Sequence, residues 1–380
     1  MLQFVRAIAA FRWKGQMIGY WLIYLSQGAF LGALGPALQE MSYQGNAVSS
    51  YNPAFAWHAL GSILSAGFLS EVLVQACLSS FLGRTGLHIM LGTMSIALTA
   101  WYVCLPWVNQ WGGSEWASCF FFVKGCVVAI VNVTINKCAA WTASGNEATT
   151  RHSYDPEANF IVLLVMIIAT LYYGIQMGLA AFLFQYLEFV MALGYGANLH
   201  SICCGIMCMF WLSLALSYSL FTSCFFENMK SLGWLFFLNV LCVCTMAGVI
   251  FGQNLFGPEY VVAALTFHLV LFAVFISPLF TGTIQGLTNV VNPDLLARVS
   301  SLLVFGCFCG EAFIPVLMGF FMGDYSGSGF GAGTIVYITF ALAITMMLTT
   351  GWFWSSVVAK QRSSTTEAAS AAPSPVKPVK

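Results

Sequence analysis

The charged residues of this chain are few and stand far apart. Lys14 to Glu40 encloses 25 uncharged residues, and Glu40 to Glu71, Arg84 to Glu115 and Glu157 to Glu188 enclose 30 each. Further on, Glu188 to Glu227 encloses 38, Lys230 to Glu259 28, Glu259 to Asp294 34 and Asp324 to Lys360 35. A helix of about 20 apolar residues crosses the roughly 30 Å of bilayer hydrocarbon, so each gap holds one span. Two further spans carry internal charges: 117–141, with Lys124 and Lys137, and 299–322, with Glu311. The pattern predicts ten transmembrane helices, at 15–38, 54–78, 87–108, 117–141, 160–188, 199–225, 231–253, 260–285, 299–322 and 333–357. Barrel strands are excluded, because they alternate over about 10 residues rather than staying apolar throughout.

Composition leads to the same class. Of 380 residues 59% are hydrophobic and 7% charged, with a mean hydropathy of +0.85. A soluble domain is about 25% charged, and disorder needs low hydrophobicity with high charge. A small disulfide scaffold is shorter and more polar. The expectation is an all-α membrane protein, a polytopic helix bundle.

The basic residues orient it. With the N-terminus inside, cytoplasmic segments hold Arg6, Arg12, Lys14, Arg84, Arg151, Lys230, Arg298, Lys360, Arg362, Lys377 and Lys380, and the outer loops hold none. The outer loops carry Glu40, Glu115, Glu259 and Asp324. Both termini are therefore expected in the cytoplasm. The first apolar segment is long enough to stay as an anchor rather than be cleaved.

A polar stretch, TASGNEATTRHSYDPEAN at 142–159, divides the chain. The organisation read from this is a cytoplasmic lead-in (1–14), a four-helix part (15–141), a cytoplasmic linker (142–159), a six-helix part (160–358) and a disordered tail (359–380) rich in Ser, Thr, Ala and Pro. Gln27, Gly28 and Gly32 in the first span are echoed by Gln176, Gly174 and Gly178 in the fifth. Each set gives a Gly-x-x-x-Gly packing face, and such echoes accompany transporters built from repeats.

Tyr173-Gly174-Ile175-Gln176-Met177-Gly178, followed by Phe182 and Tyr186, resembles the seventh helix of the major facilitator superfamily. The branch is that of the sodium-dependent glucose transporter-like proteins. Ser277-Pro278-Leu279-Phe280-Thr281 is similar to a helix-ten signature of that branch, and Gly310-Glu311, Ile314-Pro315 and Gly319 to one in helix eleven. Leu34-Gly35-Pro36 and Ala59-Leu60-Gly61 through Gly67 resemble helices one and two. The family has twelve helices, and nothing here resembles the fifth and sixth. Gln176 stands where the family has an acid, and the Gly-Arg of helix eight is absent from 212–219. The loop motif after helix two is only partly kept, with Gly83-Arg84 displaced.

The resemblance implies a secondary transporter of a small neutral solute, such as a hexose, working by alternating access in a plasma membrane. Coupling to Na+ or H+ is implied with it. The missing hairpin and lost charges leave a second reading open: a non-transporting receptor or scaffold, or a truncated isoform.

Intramembrane ionisable groups are the functional candidates. Glu311 stands about a dozen residues from either end of its span, roughly 18 Å deep at 1.5 Å per residue. It is either a solute- or proton-binding carboxylate or a lock between the halves. Lys124 sits about seven residues inside its span, within snorkelling reach of the interface. Asn132 and Asn136, at i and i+4, share a face and suit the hydroxyls of a neutral solute, or else join helices. Gln27 and Gln176 are candidates for a central cavity, with Tyr186 nearby. His268 titrates near neutral pH or is a packing residue. His58 and Glu71 are read as interfacial. Pro36, Pro278 and Pro315 either kink their helices or free carbonyls for a cavity.

The 13 cysteines include no Cys-x-x-Cys pair and are read as small packing residues. No metal motif, catalytic triad or phosphate loop is present, so neither an enzyme nor a bound cofactor is expected. The expected partners are the solute and membrane lipid, not nucleic acid. Oligomeric state is left open.

Overall fold

The computed structural model of the chain describes residues 51–65, 72, 83–144, 156–191, 199–220, 233–255, 258–288, 293–322, 331 and 333–370. These form ten α-helices and one 3₁₀ turn, with no strand among the described residues. In chain order the helices are α1 (Tyr51–Leu64), α2 (Gly83–Cys104), α3 (Val108–Ser144), α4 (Pro156–Met191), α5 (Leu199–Leu220), α6 (Gly233–Leu255), α7 (Pro258–Ile276), α8 (Leu279–Thr288), α9 (Pro293–Met322) and α10 (Thr334–Ser370).

Six segments are long and apolar enough to cross a bilayer: Thr85–Cys104, Ser118–Ile135, Asn159–Val190, Gly233–Gly252, Leu302–Met322 and Thr334–Lys360. Two shorter apolar helices, Ser201–Ser217 and Val261–Ile276, accompany them.

Three helix starts follow one local rule. Pro156-Glu157, Pro258-Glu259 and Pro293-Asp294 open α4, α7 and α9. Proline at the first position gives up an amide that no helical carbonyl would have taken. The acid that follows it in sequence falls in the first turn, where negative charge suits the positive end of the helix dipole.

The observed helices depart from the expected spans in three places. The outer loop expected at 109–116 is helical: α2 turns through a 3₁₀ turn, Leu105–Trp107, directly into α3. The single span expected at 260–285 is two helices, α7 and α8, broken at Ser277-Pro278. Proline has no amide to bond Val274 and its ring crowds that carbonyl. Disorder was expected from residue 359, but α10 is helical to Ser370. At 37 residues, α10 is about 55 Å long and outruns the hydrocarbon.

Glycine sets how closely the helices approach. A Cβ at Gly125 would strike the His58 carbonyl, and one at Gly61 the Phe122 carbonyl, so α1 and α3 touch backbone to backbone. Ser62 Oγ adds a hydrogen bond to the Gly125 carbonyl at 3.1 Å. Likewise Gly174, Gly178, Gly306 and Gly310 close α4 onto α9, where a Cβ at Gly310 would strike the Thr170 carbonyl. Thr170 Oγ1 donates to the Gly306 carbonyl at 2.9 Å. These are the small-residue crossings by which helices associate in lipid.

Around them, α4 is buried on nearly every side and packs against α9, α10, α8 and α5. Across the 145–155 stretch, α9 is the main bridge: it packs on α4 and also on α1 and α3. The apolar part of that seam joins Leu98, Val128, Ala129 and Val133 to Val304 and Phe308. Large apolar side chains such as Ile96, Phe267, Phe313, Phe320 and Trp352 point outward, as a lipid-facing surface requires.

A buried acid–base cluster as candidate functional site

The α1–α3 crossing presents His58 toward α9, and α9 presents Glu311. His58 Nδ1 stands 2.6 Å from Glu311 Oε1. Lys124, on the stretch of α3 that runs against α1, is close enough to interact electrostatically with both. His58 is 3% exposed, Lys124 2% and Glu311 1%.

The surroundings explain how Lys124 is tolerated. Its Nζ lies 5.4 Å from the centre of the Trp101 ring, a cation–π contact across to α2. Trp101 is held in place by its indole bond to the Phe120 carbonyl at 2.8 Å and by stacking on Phe120 at 4.6 Å. A lysine with the negative face of one ring and a carboxylate nearby has no need to reach the interface. Here the expectation of snorkelling is overturned.

His58 corrects a second expectation. It was placed at the interface because it stands near the predicted start of its span. The structure buries it against an acid on a helix 253 positions later (58 to 311).

The cluster is compensated in charge but not in hydrogen bonding. The His58 Nδ1–Glu311 Oε1 contact is within ion-pair distance. Neither Glu311 oxygen finds an aligned donor among the described residues, and His58 Nε2 has no partner there. Buried polar groups left unpaired are costly. Pro315 adds to this. One turn beyond Glu311, it removes the amide that would bond the Glu311 carbonyl.

The other expected site residues are dispersed. Asn132 is half-buried two turns beyond Lys124, with its Oδ1 unpaired among the described residues. Gln176 is 9% exposed on α4, and its Nε2 is also unpaired there. Tyr186 lies in the main core. His268 belongs to the α6–α7 interface: it packs on Gly248, and its Nδ1 stands 2.7 Å from the Ala264 carbonyl. Pro278 marks the α7–α8 break, and Pro315 lies within a continuous α9. Gln27, Pro36 and Glu71 lie outside the described residues, as do the side chains of Asn136 and Lys137. No group of three metal-ligating side chains occurs among the described residues.

No protein-family model matches the chain, and no curated protein does. Among solved structures it resembles the nucleoside transporter NupG, crystallised as a point mutant, with a TM-score of 0.62 at 10% identity. The likeness covers 90% of this chain and 100% of NupG. The chain shares the overall fold of that transporter. With that fold and six membrane-capable helices, it is a multi-pass integral membrane protein. At 10% identity the likeness concerns architecture and does not single out the sodium-dependent glucose transporter-like branch.

Proposed function

We propose that the chain is a secondary transporter that moves a small neutral solute across a membrane by alternating access. The observation that carries this reading is the buried His58–Glu311–Lys124 cluster at the α9 seam. Two glycine-closed helix pairs, α1–α3 and α4–α9, meet there, and the groups between them are under-bonded. Rocking of such pairs about the seam would break and remake the Glu311 contact, which makes Glu311 the coupling carboxylate for H+ or Na+. The solute-facing residues in this reading are Gln176, Asn132 and Asn136, with Gln27 on the first span. The termini lie in the cytoplasm, and the membrane is the plasma membrane.

The likeness to a nucleoside transporter gives no preference to a hexose over a nucleoside, so the test carries both. Purified protein in proteoliposomes is assayed for uptake of labelled glucose and uridine under an imposed pH or Na+ gradient. Saturable uptake of one of them, driven by one gradient and lost in Glu311→Gln, is the expected result. Folded protein that takes up neither under any gradient returns the chain to the receptor or scaffold reading.

A further inference from the structure

A second under-bonded place lies within the α4–α8 group, at the α7–α8 break. Three elements are tied together there. Tyr172 on α4 donates its hydroxyl to the Ser277 carbonyl at 3.2 Å, and Ser277 Oγ donates to the Leu214 carbonyl on α5 at 2.7 Å. Tyr172 also stacks on Phe280 of α8, 5.5 Å between centres and 15° between planes. The break is therefore pinned from both neighbouring helices.

One turn away stand two donors without a partner among the described residues. Gln176 shares the face of Tyr172 at i+4, and Trp211 lies at i−3 from Leu214. Gln176 Nε2 and Trp211 Nε1 both lack a hydrogen-bond partner among the described residues. Because α4 leads into α5 through the connection after Met191, the step from Tyr172 to Gln176 and the step from Leu214 to Trp211 run toward the same end of the bundle. Both donors thus sit on the same side of the Ser277 junction, about one turn, 5 Å, from it. Leaving a buried donor unpaired costs the protein its desolvation. Two at one level, beside a pinned helix break, are a matched demand for acceptors.

We infer that Gln176 and Trp211 form the recognition edge of a ligand subsite, which takes a small neutral solute presenting two hydrogen-bond acceptors, such as carbonyl, hydroxyl or ether oxygens. This rests on the transport reading and names the chemistry of its cargo. An indole N–H can only donate, so a cation carrying no acceptor is rejected at this edge. Tyr172, Ser277 and Phe280 position the subsite without needing to touch the solute.

The test uses the full chain in detergent and in proteoliposomes, with uridine, glucose and tetramethylammonium as probes. Ligand binding is read by thermal shift, and uptake is measured separately. Wild-type protein is expected to be stabilised by uridine or glucose and not by tetramethylammonium. Trp211→Phe, which keeps an aromatic ring and removes the donor, and Gln176→Leu should each raise the half-saturating concentration on the order of tenfold, about 1.4 kcal/mol.

The melting point without ligand separates recognition from structure. Removing a donor that bonds nothing should leave it unchanged or raise it, whereas a structural glutamine or tryptophan would lower it. Stabilisation by neither neutral probe, undiminished binding in both variants, or variants that melt early with binding intact would each overturn the subsite. Binding that is lost in the variants while wild-type protein shows no uptake would uphold the subsite and defeat only the transport reading.

Discussion

Replacing Glu311 by glutamine would keep the shape of the α9 seam and remove its carboxylate. Lys124 would then be a buried cation that has lost its nearby carboxylate. Removing one partner of a buried charge set costs about 3–5 kcal/mol, while removing the set together costs far less. Glu311→Gln should therefore lower unfolding stability by that order, and Lys124→Met with Glu311→Gln should recover much of the loss. Equilibrium unfolding of the single and double variants forms a double-mutant cycle, and strict additivity of the two changes would show that the groups do not interact. Glu311 and Lys124 were legible in the sequence as misplaced charges in apolar runs. His58 was not. Periodicity reports a residue's own helix, and the partner that gives His58 its meaning is on α9. The unpaired indole of Trp211 escaped for a related reason, since tryptophan in an apolar run carries no signal of an unsatisfied donor.

At the scale of elements, glycines divide into two kinds that composition cannot separate. Gly310 and Gly125 are crossings where an added methyl would meet backbone, which cannot move aside, while Gly92 and Gly205 face open space. Gly310→Ala and Gly125→Ala should each destabilise by about 1–3 kcal/mol through overpacking. Gly92→Ala and Gly205→Ala should be neutral, or stabilising by up to about 1 kcal/mol through helix propensity. Melting curves of the four variants check the division, and equal effects across them would refute it. The Gly174 and Gly178 face was readable from its spacing, and the structure shows it meeting Ile314 and Met318 of α9. The break at Ser277-Pro278 was noted as a possible kink, and it became two helices because α4 and α5 hold both sides of it. The continuation of α10 past Ser363 had no such warning. Its Ser, Thr and Ala residues are indifferent between helix and disorder, and an established helix propagates at little cost per residue.

At the scale of the whole molecule, charge spacing anticipated a helical membrane bundle, and the positions of most helices follow from it. Side-specific labelling tests the orientation read from the basic residues. A cysteine introduced at Ser364 in a background with reactive cysteines replaced should react with a membrane-impermeant maleimide only after the membrane is opened. A residue beside Gly331, labelled in the same way, should react in intact cells. The reverse pattern would invert the topology. What the spacing could not convey is which helices touch, because contact across the 145–155 stretch depends on side-chain chemistry from opposite ends of the chain.

The seam also has a consequence in time. Lys124 is synthesised 187 positions before Glu311 (124 to 311). At about 5–20 residues per second, the lysine waits on the order of ten to forty seconds for its counter-charge. Through that interval its insertion costs about 2.5–3.5 kcal/mol near mid-bilayer, offset in part by the Trp101 ring, which is already made. A fragment ending within 145–155 should therefore be poorly retained when expressed alone. Co-expression with the remainder should rescue it, and a remainder carrying Glu311→Gln should not. The late-made Glu311 would then act as the quality check on the helices that carry Lys124 and His58.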